Sequence, residues 1–468
     1  MYIVILGAGL VGTQLARQLI LEKKDVALIE RDSEKARNAA NKLDCLVIND
    51  EGNSLEGLTK AGIQKADIFV SVTDSDETNL ISCGLVSAEF GKVKTIARVR
   101  NLDYSRTKMI SNSFLGIDFV INPEIEAARI ISYAVSHGAR SDIMLFENTS
   151  LQMRNLTIRP LSAFIGQSLK SVRQHMDFAF LIAAILRDEN YIIPSGDTII
   201  HERDQLYIIS SEKGFETIFK LEDLKKSELN RITLIGGGHI SAYVVDELTS
   251  QENSNLSLLG KTRLGRLFNK KQKKSLQIIE KDYERCKELA ERFPQILVTH
   301  ADVTDDSFNE EEFLAGTDLI ITATNNQELN IITAIYAKTL GVDKAMALVV
   351  RNSYRNMAHN LNVDVTVCLN DTVVNSILKI IRKGNIKNVH ALSGGKLEVV
   401  EFQIEEHSPI AGKRINELKL PENSLVIFLS HNGQDIIPTG DTVIGFNDYV
   451  VLILERESVS RIEKLISG

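Results

Sequence analysis

Residues 3–12 read IVILGAGLVG and residues 232–241 read ITLIGGGHIS, so the chain writes one strand, glycine loop and helix start twice, 229 positions apart. A second echo pairs SVTDSDETNL at 71–80 with TATNNQELNI at 322–331, offset by 251. A third pairs IIPSGDTII at 192–200 with IIPTGDTVI at 436–444, offset by 244. The growth of the first offset places an insertion of about 21 residues in the second copy, between Ser250 and Ser275. Repetition on this scale governs every later reading. The layout is A-B-A′-B′, four units in 468 residues.

Unit A alternates short apolar runs with amphipathic stretches. Strands are expected at Ile3–Leu6, Val26–Ile29, Cys45–Ile48, Ile68–Val72, Thr95–Arg98 and Phe119–Ile121, with helices such as Gly12–Leu21 and Glu34–Leu43 between them. Strands alternating with helices of this length indicate βαβ units, hence an α/β fold: a Rossmann-like doubly wound parallel sheet covered on both faces. Unit B carries strand-like runs at Leu151–Ile158, Phe180–Arg187, Tyr191–Ile193 and Gln205–Ile209, with Pro-Ser-Gly-Asp as turn chemistry, and reads as a small α+β unit. Charged linkers join the halves at Lys220–Asn230 and A′ to B′ at Lys383–Asn388.

A glycine triplet after a strand and before a helix is the context that makes GxGxxG specific. Gly7 permits the tight turn, Gly9 lets backbone approach a pyrophosphate, and Gly12 lets the helix pack on the strand; Ala8, Leu10 and Val11 complete the loop. Glu30 ends the second strand 18 residues after Gly12. A carboxylate there accepts from ribose hydroxyls and repels a 2′-phosphate, which favours NAD(H) or an adenine nucleotide over NADP; Asp32 is the neighbouring alternative. The other reading of the loop is a glycine turn that packs a helix and binds nothing. Asp50 follows the third strand, beside the expected adenine, or else caps a helix. Thr73 and Asn79 sit at the carboxyl edge of the fourth strand, as ligand contacts or as caps. Arg98 ends the fifth strand, within reach of a phosphate or paired at the surface.

The second loop is Gly236-Gly-Gly238-His-Ile-Ser241, with serine for the third glycine. Glu280 matches Glu30, and Asp302, Thr324, Asn330 and Arg351 continue the pattern; His239 is either a ligand contact or a solvated loop histidine. The chain shows no Walker-type loop, and neither half has a Tyr-x-x-x-Lys pair or a His–carboxylate dyad that could move a proton beside a nicotinamide, so no catalytic residue is assigned. A nucleotide site without catalytic machinery suggests that the nucleotide is a signal.

Composition narrows the field further. With 54 basic against 62 acidic residues and a net charge of -8, no basic field exists for nucleic acid. Four scattered cysteines form neither a disulfide scaffold nor a metal site and suggest a reducing cytosol. No apolar run approaches a membrane span, and the N-terminus lacks a basic n-region, so a soluble, intracellular chain is expected.

GAGLVG, the terminal acid of LIERD, SVTDSDETNL with IARVRN, the PSGDT turn and the whole-length duplication together resemble the TrkA family, the peripheral subunits of Trk potassium uptake systems. The resemblance implies two RCK domains in tandem. N lobes would span 1–138 and 230–385, with a basic insert at 251–274; C lobes would span 145–225 and 389–468. It implies no enzyme activity, NAD(H), ATP and ADP as ligands, and a homotetramer with a ring of eight RCK units. That ring would lie in the cytoplasm, at the inner face of the membrane, on a potassium channel or transporter subunit of the TrkH or TrkG type. Gly7, Gly9, Gly12, Glu30, Asp50, Thr73 and Arg98 would line the first site; Gly236, Gly238, Glu280 and Asp302 the second. Apolar faces at Ile125–Ala134 and Val373–Ile381 are expected to pack between subunits. The insert Asn255 to Lys274, with seven basic residues and no acid, reads as a lipid or acidic-partner contact or as a solvated loop. A rival reading is an NAD-dependent dehydrogenase or reductase with a degenerate second half.

Overall fold

The computed structural model describes residues 1–101, 103–104, 116–136, 138–139, 143–146, 149, 151–188, 190–222, 229–259, 274–305, 313–382, 386–392, 397–431 and 433–467. The basic insert lies largely outside these residues.

The first sheet contains β1 (Tyr2–Leu6), β2 (Asp25–Glu30), β3 (Leu46–Asn49), β4 (Ile68–Ser71), β5 (Lys94–Arg98) and β6 (Phe119–Ile121), all parallel, in the order β3-β2-β1-β4-β5-β6. This is the doubly wound order, with its switch point between β1 and β4. Continuous apolar strands result because both faces are covered. Along β1 the side chains alternate, so Ile3 and Ile5 enter one core while Val4 and Leu6 enter the other.

β7 (Ile143–Leu145), β8 (Leu151–Thr157), β9 (Phe180–Arg187), β10 (Asn190–Ile192) and β11 (Gln205–Ser211) form an antiparallel sheet. The second half repeats both sheets. β12 (Arg231–Ile235), β13 (Ser275–Glu280), β14 (Leu297–His300), β15 (Leu319–Thr322), β16 (Lys344–Val349) and β17 (Val365–Cys368) are ordered β14-β13-β12-β15-β16-β17. β18 (Ile386–Ala391), β19 (Leu397–Gln403), β20 (Ser424–His431), β21 (Gln434–Ile436) and β22 (Tyr449–Glu455) close the fourth sheet.

Four helices position the site: α1 (Leu10–Leu21), α2 (Pro123–Ser136), α3 (His239–Leu259) and α4 (Leu369–Ile381). The halves exchange two of them. Ala127, Ala128, Ile131 and Val135 of α2 pack into the core of the second sheet, with Ile232, Leu234 and Val244. Val373, Val374, Ile377 and Ile381 of α4 pack reciprocally into the core of the first, with Ile3, Ile5, Leu15 and Leu19. This corrects the expectation that these faces meet another subunit: the second copy of the unit lies in the same chain. The two antiparallel sheets also pack face to face, with Phe146 and Phe428 ring centroids 4.9 Å apart in an edge-on arrangement.

Buried charge joins the first N lobe to the second C lobe. The Arg382 guanidinium, just beyond α4, donates to Glu22 after α1 and, at 3.2 Å, to Glu398 on β19. Arg456 Nε donates to the other oxygen of Glu398 at 2.8 Å. Arg382, Glu22 and Glu398 side chains are all 1–2% exposed.

Candidate functional site

The first glycine loop sits at the carboxyl end of β1, where β4 diverges. Gly7 adopts φ +105°, and a Cβ there would stand 3.2 Å from the Thr73 backbone nitrogen, so glycine answers both conformation and space. A Cβ at Gly12 would overlap the Gly7 carbonyl oxygen. Gly9 differs: φ is an ordinary -69°, and a Cβ would meet nothing within 4 Å. Gly9 is also the N-cap of α1 and offers no side chain to the first-turn amides. Other helices of the same lobe carry their own caps, Asp32, Ser54 and Ser75.

Glu30 is 8% exposed and accepts from Ala8 N at 2.6 Å and Asp32 N at 3.0 Å. The carboxylate therefore braces the loop at the strand end. Asp32 caps the Ser33–Lys42 helix instead, accepting from Glu34 N and Lys35 N.

A cleft of about 1030 Å³ opens over the loop. Ala8, Gly9, Leu10, Val11 and Arg98 line one side, with Arg17 and Lys35. The other side belongs to the second half: Arg351, Asn352, Arg355, Asn370 and Asp371. Eight basic side chains and two acids line the whole cleft, which gives it a strongly positive field. Arg98 is the most constrained of them. Its side chain is 7% exposed, its Nε has no hydrogen-bond acceptor, and its closest carboxylate, Asp74, stands 3.8 Å away and largely in solvent. Burial and the neighbouring Arg100 push its pKa down to about 10, so it is still charged at neutral pH. A buried cation so thinly paired fits an anion in the cleft. Both observations, the side-chain-free cradle at Gly9 and the underpaired arginine, fit a phosphate-bearing ligand.

Other expected residues take different parts. Asn79 is corrected outright: it is fully buried, accepting from Ser71 Oγ, Thr73 N and Thr73 Oγ1 and donating to Thr73 O and Arg98 O. It staples β4 to β5 and has nothing left for a ligand. Thr73 is the other end of that staple. Asp50 bonds Glu51 N and pairs with Lys60 at 3.0 Å, and these contacts lower its pKa. Asp302 closes its own turn on Thr304.

Around the second loop, Gly236 has φ +95° and Gly238 is as open as Gly9. Glu280 accepts from Gly237 N, as Glu30 does from Ala8 N. Ser241 Oγ donates to Gly236 O, so serine is accommodated. His239 Nδ1 lies 3.0 Å from Glu124 Oε2 on α2. Arg351, expected here, instead lines the first cleft. The match to Arg98 is Leu348, because Asn79 Nδ2 donates to Arg98 O and its counterpart Asn330 donates to Leu348 O.

Two doubly wound lobes with interlocked helices, each followed by an antiparallel sheet, define a tandemly duplicated α/β chain. Solved structures share that fold: the GsuK RCK domain superposes with a TM-score of 0.53 at 16% identity, covering 100% of this chain and 95% of its own. The GsuK channel bound to NAD does so with a TM-score of 0.56 at 14% identity, covering 100% and 79%. The TrkA-N domain profile matches residues 3–123 and 256–369, and the TrkA-C domain profile matches 153–222 and 399–467. The Trk system potassium uptake protein TrkA of Haemophilus influenzae is 31% identical over 473 residues, covering 99% of this chain and 98% of that one. The chain belongs to the TrkA family.

Proposed function

We propose that this chain is the non-enzymatic, cytoplasmic regulatory subunit of a potassium uptake system. It binds NAD(H) or the adenine nucleotides ATP and ADP on the Gly7–Gly12 loop, and thereby gates a membrane channel or transporter subunit of the TrkH or TrkG type. The observation that carries this reading is Arg98, a buried and underpaired cation over an uncapped glycine loop, in a cleft walled by both halves of the chain. Family membership supplies the potassium system, and the NAD-bound neighbour supports the ligand class. Among the described residues no helix is long and apolar enough to cross a membrane.

A ligand bridging the two walls biases how the halves sit, and a state-dependent affinity is all that gating requires. The proposed homotetrameric ring has a repeated surface to build on: Ile81 and Ile332, 251 positions apart on equivalent helices, are 57% and 64% exposed. The test is potassium flux through the reconstituted membrane partner, with and without this chain, across ATP, ADP and NADH. Flux should change with nucleotide and lose that dependence on replacement of Arg98 by methionine. Flux indifferent to every nucleotide sinks the proposal.

Glu30 gives the site a preference. A 2′-phosphate brought beside this nearly buried carboxylate would meet like charge in a poorly solvated place. NADP should therefore bind at least about tenfold more weakly than NAD, a difference of about 1.4 kcal/mol. Equal affinities in calorimetry would remove the role assigned to Glu30.

A further inference from the structure

The exchanged helices place residues of each half over the glycine loop of the other, and one corresponding pair differs in charge. β6 and β17 set the register: Arg98 pairs with Ile121 and its counterpart Leu348 with Val367, so Ile121 corresponds to Val367 and Glu124 to Asn370. Asn370, neutral, lines the cleft over the first loop beside Asp371, an acid whose carboxylate is engaged by Gln14, Asn352 and Arg355. Glu124, an acid, stands over the second, with its carboxylate 3.0 Å from the ring of His239, the first residue of α3. An anion drawn to the start of α3 would meet a carboxylate already there.

Two further replacements act in the same direction. The underpaired Arg98 has the buried, neutral Leu348 as its counterpart. Arg17 on α1 corresponds to Asp246 on α3, the two helices being aligned by matching bonds from Thr13 N to Gly9 O and from Ala242 N to Gly238 O. Asp246 is held by Arg292, so that arginine is already engaged. Arg285, in the place of Lys35, bonds the Gly237 carbonyl at 2.8 Å. The second loop thus keeps the backbone of a phosphate cradle and lacks its field.

We propose that each chain carries one nucleotide, on the first loop alone, and that Glu124 is the residue that denies anions to the second. The inference rests on the nucleotide reading above, and its test separates the two. Calorimetry of the full chain with NADH and with ADP should give one ligand per chain. Leucine at Gly9 should remove it; leucine at Gly238, which also has open space for a side chain, should leave it unchanged. Two ligands per chain, or a half-loss in each variant, would overturn the inference and leave the nucleotide reading intact. No binding of either ligand would overturn that reading itself. A second arm uses the Gly9→Leu background. There Glu124→Gln, which keeps a hydrogen-bonding group for His239, should strengthen residual ADP binding at the second loop at least about tenfold, because one like charge beside the phosphates is gone. No gain would remove Glu124 from the role given to it.

Discussion

Leucine in place of Gly9 is expected to leave the fold intact and weaken nucleotide binding by about 100-fold or more. The backbone at Gly9 has φ -69°, which any residue adopts, and a Cβ there meets nothing within 4 Å. The new side chain therefore costs the folded chain little and projects into the cleft. What it displaces is the approach of phosphate to the first-turn amides of α1, which have no side-chain cap. Hydrogen bonds to a charged group contribute about 1.5–3 kcal/mol each, so losing two of them accounts for a factor of about 100 or more. Gly12→Ala offers the contrast: its Cβ would overlap the Gly7 carbonyl oxygen, and that variant should lose stability along with binding. Calorimetric titration beside a thermal melt separates the two behaviours. A Gly9→Leu chain that melts normally and still binds NADH at full strength would remove the loop from the site.

The strands of both doubly wound sheets were legible because their alternation with helices leaves little choice of fold. The roles of Gly7 and Gly12 were equally legible, since a left-handed turn and a close helix contact each exclude side chains. Partnership was not. An apolar stripe such as Val373–Ile381 announces that a face is buried without naming what buries it, and a duplicated chain has two solutions, another subunit or its own other half. Asn79 misled because a small polar residue at a strand's carboxyl edge serves a ligand or a backbone equally well; only the five bonds it makes decide. Arg351 misled through register: it stands 253 positions after Arg98, which is not the offset of the repeat there. The repeat offset falls from 251 at Asn79 and Asn330 to 250 at Lys94 and Lys344, as the pairings of β4 with β5 and of β15 with β16 show. At that offset Arg98 corresponds to Leu348, and Arg351, three positions further on, lines the first cleft instead. Register lives in backbone hydrogen bonds, which one sequence does not display.

Removing Arg382 is expected to destabilise the contact between the first N lobe and the second C lobe by about 3–5 kcal/mol at neutral pH, the usual cost of breaking a buried pair from one side. Methionine fills similar volume without charge. It leaves Glu22 buried with no guanidinium against it, whereas Glu398 keeps Arg456 at 2.8 Å. Burial raises the Glu22 pKa, and Arg382 is the main influence opposing that rise. In Arg382→Met the folded-state pKa should climb further above the unfolded one. Between those two values the folded chain binds the additional proton, so stability falls as pH rises and recovers on acidification. The deficit against the unaltered chain should therefore be largest near pH 8 and shrink towards pH 5. Adding Glu22→Gln should recover part of the loss and flatten its pH dependence, because no ionisable group then remains unpaired. Urea midpoints for the three chains at both pH values provide the measurement. A single variant as stable as the parent at pH 8, or a deficit that grows on acidification, would show that this charge cluster does not hold the two lobes together. Arg456 also lines the cleft over the first glycine loop. Under the proposed function, a ligand that drew it towards phosphate would loosen its hold on Glu398, and the same cluster would then tie nucleotide binding to the second C lobe.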